Sequence, residues 1–480
     1  MTTIGQDTIC AVSTPYGVGG IAVIRVSGND ACAIADRIWK GKSLQEVNSH
    51  TAHLGYIIDS ESIAIDQAVA TVFRAPASFT GENVVEISVH GSKWVQREVL
   101  RLLIENGARM AHAGEFSRRA YANGKMDLAE VEGVADMIAS QSRAANRIAM
   151  TQMKGEFSRR LKELHDKLLK LVSLMELELD FSEEEVEFAS RSEMLSMAED
   201  LQRVVDRMAA SFSQGNAIKE GVPVAIVGST NAGKSTLLNA LLQEEKAIVS
   251  DIHGTTRDII EDTVEIEDVT LRFIDTAGLR KTDDTIEGLG IERALERMRK
   301  ARIVIWVVDA QSPHSLIKET AQLVAVGESL VGDDSGDESP VGSAPFAADQ
   351  SLIVAVNKCD ISDATATIDF LTNILPTGTI IIPISAKQEK GLEQLQKALL
   401  DASGVNRIKE GEVLVTNLRH YEALTQASTS IKAAINGLKA QLPGDLIAQD
   451  ARETLLYLGE ITGTITSQDI LNNIFAHFCI

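Results

Sequence analysis

The chain has 480 residues, with 46 lysines and arginines against 68 aspartates and glutamates, a formal net charge of -22. The length requires more than one domain, and the acidic balance argues against general affinity for nucleic-acid backbone or an anionic membrane, so any RNA contact is expected to be local or shared with a partner. Cys10, Cys32, Cys359 and Cys479 lie far apart without paired spacing, which indicates neither a disulfide framework nor a zinc site and fits a reducing cytoplasm.

The first stretch, MTTIGQDTIC, has no basic or long apolar leader, and apolar runs such as IVIWVVDA have strand length, so a soluble, cytoplasmic protein without a membrane segment is expected. Residues 1–122 then show strand-like runs, DTICAVST, GIAVIRVS, HLGYIID, DQAVATVFRA and NVVEISVH, separated by turn residues. Two helical stretches interrupt them, ACAIADRIWK after Asn29-Asp30 and KWVQREVLRLLIENGA after Ser92. The pattern predicts an α+β domain for ligand binding or dimerisation. Three stretches are chemically loaded: GVGGIAVIRVSG (17–28), SFTGENVVEISVHG (78–91) and GEFSRRAYANGKMDLAEVEGVADMI (114–138). Glycines beside Arg25 allow close backbone approach to a ligand, and Glu82, Arg118, Arg119 and Lys125 supply charge near turns; ordinary loop glycines and surface charges fit as well.

From 123 to 220 strand signals stop. Leu161, Leu164, Leu168, Leu171 and Met175 recur at 3,4 spacing, the seam of a helix bundle, and the acidic run ELELDFSEEEVEF (176–188) reads as a solvated face. Helical periodicity returns in 402–480, through LRHYEALTQASTSIKAAINGLKAQL and AQDARETLLYLGEITG. The simplest architecture is one helical domain interrupted by an α/β domain at 221–401, since insertion is tolerated where chain ends lie close together.

That insertion alternates helices with the apolar runs VPVAIVG, TLRFIDTAG, RIVIWVVDA, SLIVAVNKCD and TIIIPISAK, the signature of a parallel sheet covered on both faces. After the first run comes GSTNAGKST (228–236), a complete Walker A pattern between a strand and a helix. Asn231, Ala232, Gly233, Lys234, Ser235 and Thr236 are expected to bind phosphates, with Lys234 neutralising the β- and γ-oxygens and Ser235 holding Mg²⁺. Asn357, Lys358 and Asp360 follow a buried strand. There Asp360 can accept from guanine N1-H and the exocyclic amine, whereas adenine would present an acceptor at N1 and leave a carboxylate mispaired. Ser385, Ala386 and Lys387 complete the base pocket, the Ala386 amide meeting guanine O6. The substrate predicted is GTP.

Two switch segments are expected. Gly254, Thr255, Thr256, Arg257 and Asp258 form the first, with Thr256 the second Mg²⁺ ligand and Ser250, Asp251, Ile252 and His253 just before it also expected at the GTP; Asp275, Thr276, Ala277 and Gly278 form the second, with Asp275 reaching Mg²⁺ through water. Leu279 stands where a Ras-like enzyme carries its water-orienting glutamine. Asp283, Asp284 and Glu287, in a glycine-containing loop, are the carboxylates able to replace it, and spacing does not choose among them. No arginine finger is evident. Asn231 either stabilises its own loop or, with carbonyls of 250–256, forms an oxygen cage whose monovalent cation stands in for the finger's charge. The segment 327–350, rich in Gly, Ser and acids, reads as a disordered insertion.

The set GSTNAGKST, GTTRD, DTAGLR, NKCD and SAK inside a helical domain, with DILNNIFAHFCI at 469–480, closely resembles the MnmE (TrmE) family of tRNA-modification GTPases over nearly the whole chain. The resemblance implies an α+β multidomain protein: a folate-binding-like α+β domain, an all-helical domain and an inserted Ras-like P-loop domain. It implies that Arg25, Glu82 and Lys125 hold a tetrahydrofolate derivative, 5-formyl- or 5,10-methylene-tetrahydrofolate. It also implies a K⁺ cage from Asn231, Ser250, Ile252 and Thr255, and Glu287 as the residue that orients water. Further implications are a homodimer, a flavoprotein partner (MnmG) supplying FAD, and tRNA bound mainly through that partner. The family's signature usually continues past Cys479-Ile480 with Gly-Lys, so a terminal lysine contact to folate is not expected here. Cys479 is a possible reactive thiol or a buried cysteine on an amphipathic helix.

The function expected is a potassium-activated GTPase, with Glu287 and Lys234 catalytic, that helps form an aminomethyl-type group at C5 of a wobble uridine. The competing reading is a regulatory or ribosome-assembly GTPase acting as a binding switch, which has no use for a folate pocket. A folate enzyme regulated by its own GTPase domain is a third.

Overall fold

Alternation along the early runs is resolved into a seven-stranded sheet: β1 (Ile9–Val12), β2 (Gly19–Ser27), β3 (Trp39–Lys40), β4 (Thr51–Ile58), β5 (Ala64–Phe73), β6 (Val84–Gly91) and β7 (Arg109–Met110), in spatial order β3-β4-β5-β6-β2-β1-β7. The computed structural model describes residues 7–180, 191–246, 262–267, 269–274, 298–326, 350–404, 413–465, 471, 474 and 475. Two units emerge. One comprises Met1–Ile138, Ala149–Asp206 and Glu422–Ile480; the other comprises Ala139–Ile148 and Arg207–Tyr421.

In the first unit, every second residue of β2, β5 and β6 points inward, Ile24, Val26, Ala70, Val72, Val85 and Ile87 among them, and packs with Ile34, Val99 and Leu103 from helices Ala31–Arg37 and Lys93–Glu105. The helix expected through Lys40 ends at Arg37 instead, and Trp39–Lys40 pairs with Tyr56 and Ile57 of β4. Burial of the indole, with its N–H donated to the Lys42 carbonyl at 3.2 Å, outweighs the helical pattern. Strand β7, parallel to β1, is too short for periodicity to reveal.

The leucine seam is core: Leu161, Leu164, Leu168, Leu171 and Met175 of helix Glu156–Asp180 are all buried. That helix packs against Gly444–Thr462. Arg452 meets Glu176 at 2.6 Å, and Lys439 meets Glu199 at 2.8 Å. The guanidinium of Arg191 donates to the Leu442 carbonyl at 2.7 Å. Within the first unit, helices from before and after the second unit's sequence therefore pack in one bundle.

The second unit holds a six-stranded sheet: β8 (Val222–Val227), β9 (Asp262–Ile266), β10 (Val269–Phe273), β11 (Ile303–Asp309), β12 (Ser351–Asn357) and β13 (Ile380–Pro383), ordered β13-β12-β11-β8-β10-β9. Uninterrupted apolar runs are explained by two cores. Val224, Ile226, Ile305 and Val307 enter one; Ala225, Val227, Val304, Trp306 and Val308 enter the other. The sheet is not wholly parallel, because β9 pairs antiparallel with β10 at the edge. In its sequence, DTVEI, buried Val264 and Ile266 alternate with exposed Thr263 and Glu265, so the apolar-run criterion passes over it. No described helix is long and apolar enough to cross a membrane.

Candidate nucleotide-binding site

The central strands β8, β11 and β12 run parallel, so their carboxyl ends share one edge, where open α/β sheets bind ligands. Strand β8 ends at Val227 and helix Lys234–Lys246 begins at Lys234, which leaves 228–233 to reverse the chain. Three residues there adopt positive φ: Gly228 at 145°, Asn231 at 63° and Gly233 at 97°. A Cβ on Gly228 would collide with the Val307 carbonyl, and one on Gly233 with the Asn357 side-chain nitrogen. Both positions therefore require glycine. Lys234 folds back over the loop and donates from Nζ to the carbonyls of Gly228 at 2.9 Å and Ser229 at 2.7 Å. The ammonium is thus held across the loop in front of a helix N-terminus, an arrangement suited to phosphate.

Strand β12 delivers the second part. Asn357, 3% exposed, donates from Nδ2 to the Ala232 carbonyl at 2.9 Å and accepts from the Ala386 amide at 3.0 Å. One buried amide thereby joins the phosphate loop to the 385–387 loop. Asp360 is exposed, and its Oδ1 accepts from the Ser385 hydroxyl at 2.7 Å. This hydrogen bond, aided by backbone and by Lys387 and Lys390, holds the carboxyl below its usual range. The structure brings 231–236, Asn357 to Asp360 and Ser385 to Lys387 to one edge of the sheet. Residues 250–256 and 275–278, with Glu287 and Cys479, lie outside the described residues, as do 327–349.

Arg25, Glu82 and Lys125 lie in the first unit, each with its own neighbours. Arg25 pairs with Glu86 across β2 and β6 at 2.7 Å, its guanidinium 5.2 Å from the Phe79 ring centroid and 5.5 Å from that of Phe116. Two residues along the same face of β2, Ser27 donates to Glu82 Oε2 at 2.7 Å. A Cβ on Gly81 would lie against the Lys125 stem, at 3.1 Å from Cγ. The residue that organises this region is Arg119, which the pattern of turn charges does not distinguish from Arg118. Arg119 is 1% exposed and bonds the carboxylates of Glu82 at 3.2 Å, Asp7 at 2.8 Å and Glu115 at 3.1 Å. Burial pushes Glu115 upward, but hydrogen bonds from Arg109, the His112 amide and Arg119 outweigh it and lower its pKa. A buried guanidinium facing several acids has no periodic signature, so only the fold exposes it.

A phosphate loop tied through a buried asparagine to an aspartate-bearing loop, on a mostly parallel sheet, defines the second unit as a P-loop G domain. The model for the GTP-binding protein TrmE N-terminus matches residues 8–125, and that for the MnmE helical domain matches 128–479. Among curated relatives, tRNA modification GTPase MnmE of Parabacteroides distasonis is 48% identical, covering 99% of this chain and 100% of its own length. The MnmE protein of Bacteroides thetaiotaomicron is 46% identical, with the same coverage of both chains. That of Cytophaga hutchinsonii is also 46% identical, covering 99% of this chain and 97% of its own. The chain belongs to the MnmE (TrmE) family.

Proposed function

We propose that this protein is a potassium-activated GTPase that takes part in tRNA modification, forming an aminomethyl-type group at C5 of the wobble uridine together with an MnmG-type flavoprotein. The observation that carries GTP as substrate is the Asn357 bridge, which couples the phosphate loop to a base pocket whose Asp360 is oriented by the Ser385 hydroxyl. The curated relatives carry the name tRNA modification GTPase, which supports the RNA side of the reading.

Lys234 would neutralise the phosphates, and Ser235, in the first turn of the helix, would hold Mg²⁺ together with Thr256. Magnesium would supply charge neutralisation on the triphosphate. Asn231 is exposed and held in the left-handed region, leaving its side chain at the loop surface where a cage ligand would stand. Potassium there would supply the positive charge that other GTPases take from arginine. Glu287 orients the attacking water. In the first unit, Arg25, Glu82 and Lys125 hold the folate one-carbon donor; a rigid carboxylate at Glu82, fixed by Ser27 and Arg119, fits a ligand presenting N–H donors. A homodimer in the cytoplasm, receiving flavin chemistry and most tRNA contacts from its partner, completes the reading.

GTP turnover in potassium and in sodium buffers tests the cation: wild type is expected to be faster in potassium, and Asn231→Ala to lose the difference. Equal wild-type rates in both salts would remove the cage. Glu287→Ala is expected to keep GTP affinity and lose hydrolysis. Transfer of label from folate to tRNA, with and without the flavoprotein, separates a modifying enzyme from a binding switch, which would transfer none.

A further inference from the structure

Asp309 ends β11 at the carboxyl edge of the sheet, in register with Asn357 on β12. Its Oδ2 lies 2.7 Å from Lys358 Nζ, while Oδ1 accepts the Gln311 amide at 2.9 Å. The backbone around it is anchored as well: the Ser312 amide donates to the Asp309 main-chain carbonyl at 2.9 Å, and the next amide, Ala310, donates to the Asn357 carbonyl at 3.0 Å. Lys358 has φ of 68°, a left-handed conformation that a long side chain adopts only when its surroundings impose it. The side chains of the pair are 16% and 31% exposed, so water only partly screens them.

From this geometry we infer that Asp309 is a positioning and specificity-determining residue: it holds Lys358, and through it the 357–360 turn, in the register that lets Asp360 read a guanine base. Besides the Ser385 hydroxyl on Asp360 and the Cys359 amide on the Ile384 carbonyl, two further anchors hold the turn. Asn357 fixes its beginning to the phosphate loop, and the Asp309–Lys358 pair fixes its middle to the neighbouring strand. Without the second anchor the lysine, a flexible stem with a strongly hydrated head, leaves its place. The left-handed residue then loses its restraint, and Asp360, two positions on, loses alignment with the base. Effects should therefore fall on base recognition rather than on the phosphates.

This inference rests on the guanine-nucleotide reading, and the experiment distinguishes the two. Binding of GDP and of inosine diphosphate, which lacks the exocyclic amine, is measured by calorimetry on the full chain: wild type, Asp309→Ala, Asp309→Asn, Lys358→Ala and the Asp309→Ala/Lys358→Ala double variant. Asp309→Ala is expected to weaken GDP about tenfold and inosine diphosphate about threefold, narrowing the discrimination between them. Asp309→Asn, which keeps an acceptor, should recover part of the loss, and the double variant should bind no more weakly than Lys358→Ala alone. Wild-type affinity in Asp309→Ala, or losses that multiply in the double variant, would overturn the inference. If Asp309→Ala does not fold, the near-isosteric Asp309→Asn enters the same cycle under the same criterion. A wild-type chain that binds no GDP overturns the nucleotide reading itself.

Discussion

The side-chain amide of Asn357 donates to the Ala232 carbonyl at 2.9 Å while its oxygen accepts the Ala386 amide at 3.0 Å. Its removal leaves a buried carbonyl and a buried N–H without their partners at once. Asn357→Ala is expected to weaken GDP binding at least tenfold, consistent with about 1 to 3 kcal/mol for an unsatisfied buried group. Titration calorimetry checks this; an affinity within twofold of wild type would contradict the bridging role.

In the proposed reading Asp360 accepts from the guanine N1–H and exocyclic amine. Asp360→Asn presents an amide donor where the carboxylate accepted, so it repels the guanine amine and suits the C2 carbonyl of xanthine. The variant should lose GTP affinity by about a hundredfold or more, in the range seen when a polar site is mismatched, and gain affinity for XTP. Competition between the two triphosphates in a turnover assay reads the switch directly.

Asp7 and Glu115 give the first unit a definite acid sensitivity. For both, burial raises the pKa, but hydrogen bonds and charge from Arg109 and Arg119 lower it further, leaving each below its ordinary 3.8 or 4.5. A depressed folded pKa contributes stability that is present above the unfolded value and is lost as pH falls through the folded one. Urea unfolding followed from about pH 6 to about pH 3 should show stability falling on the acid side of 4.5, and Glu115→Gln should flatten that fall. Equal slopes in both proteins would remove Glu115 from the linkage.

Leu171, fully buried in the bundle seam, tests the packing of helix Glu156–Asp180. Leu171→Ala should destabilise the first unit by about 2 to 5 kcal/mol, while GDP affinity, a property of the second unit, stays within twofold of wild type. Thermal unfolding and GDP titration on the same preparation check both halves of this expectation.

The elements with strong periodicity were legible: the leucine seam, the apolar strands and the loop opening at Gly228 are where local pattern and tertiary packing agree. Strand β9 was missed because an edge strand buries one face only, and β3 because Trp39 is claimed by burial rather than by helix propensity. In the site, glycines and the Asn-Lys-Cys-Asp turn are readable because backbone conformation and base chemistry restrict the residue types allowed. Asp309 and Arg119 were not readable. Each acts through partners far away in sequence, Lys358 for one and Asp7, Glu82 and Glu115 for the other, and a lone charge carries no record of what it will meet.

The contact between Glu176 and Arg452 spans 276 residues, and its consequence is temporal. A ribosome adding about 5 to 20 residues per second needs roughly a quarter of a minute to a minute to traverse that distance. Throughout that interval the leucine face of Glu156–Asp180 waits outside the ribosome without its partner from Gly444–Thr462, while the sheet between them can be completed. During synthesis the leucine face of Glu156–Asp180 is made long before the helix Gly444–Thr462 that covers it.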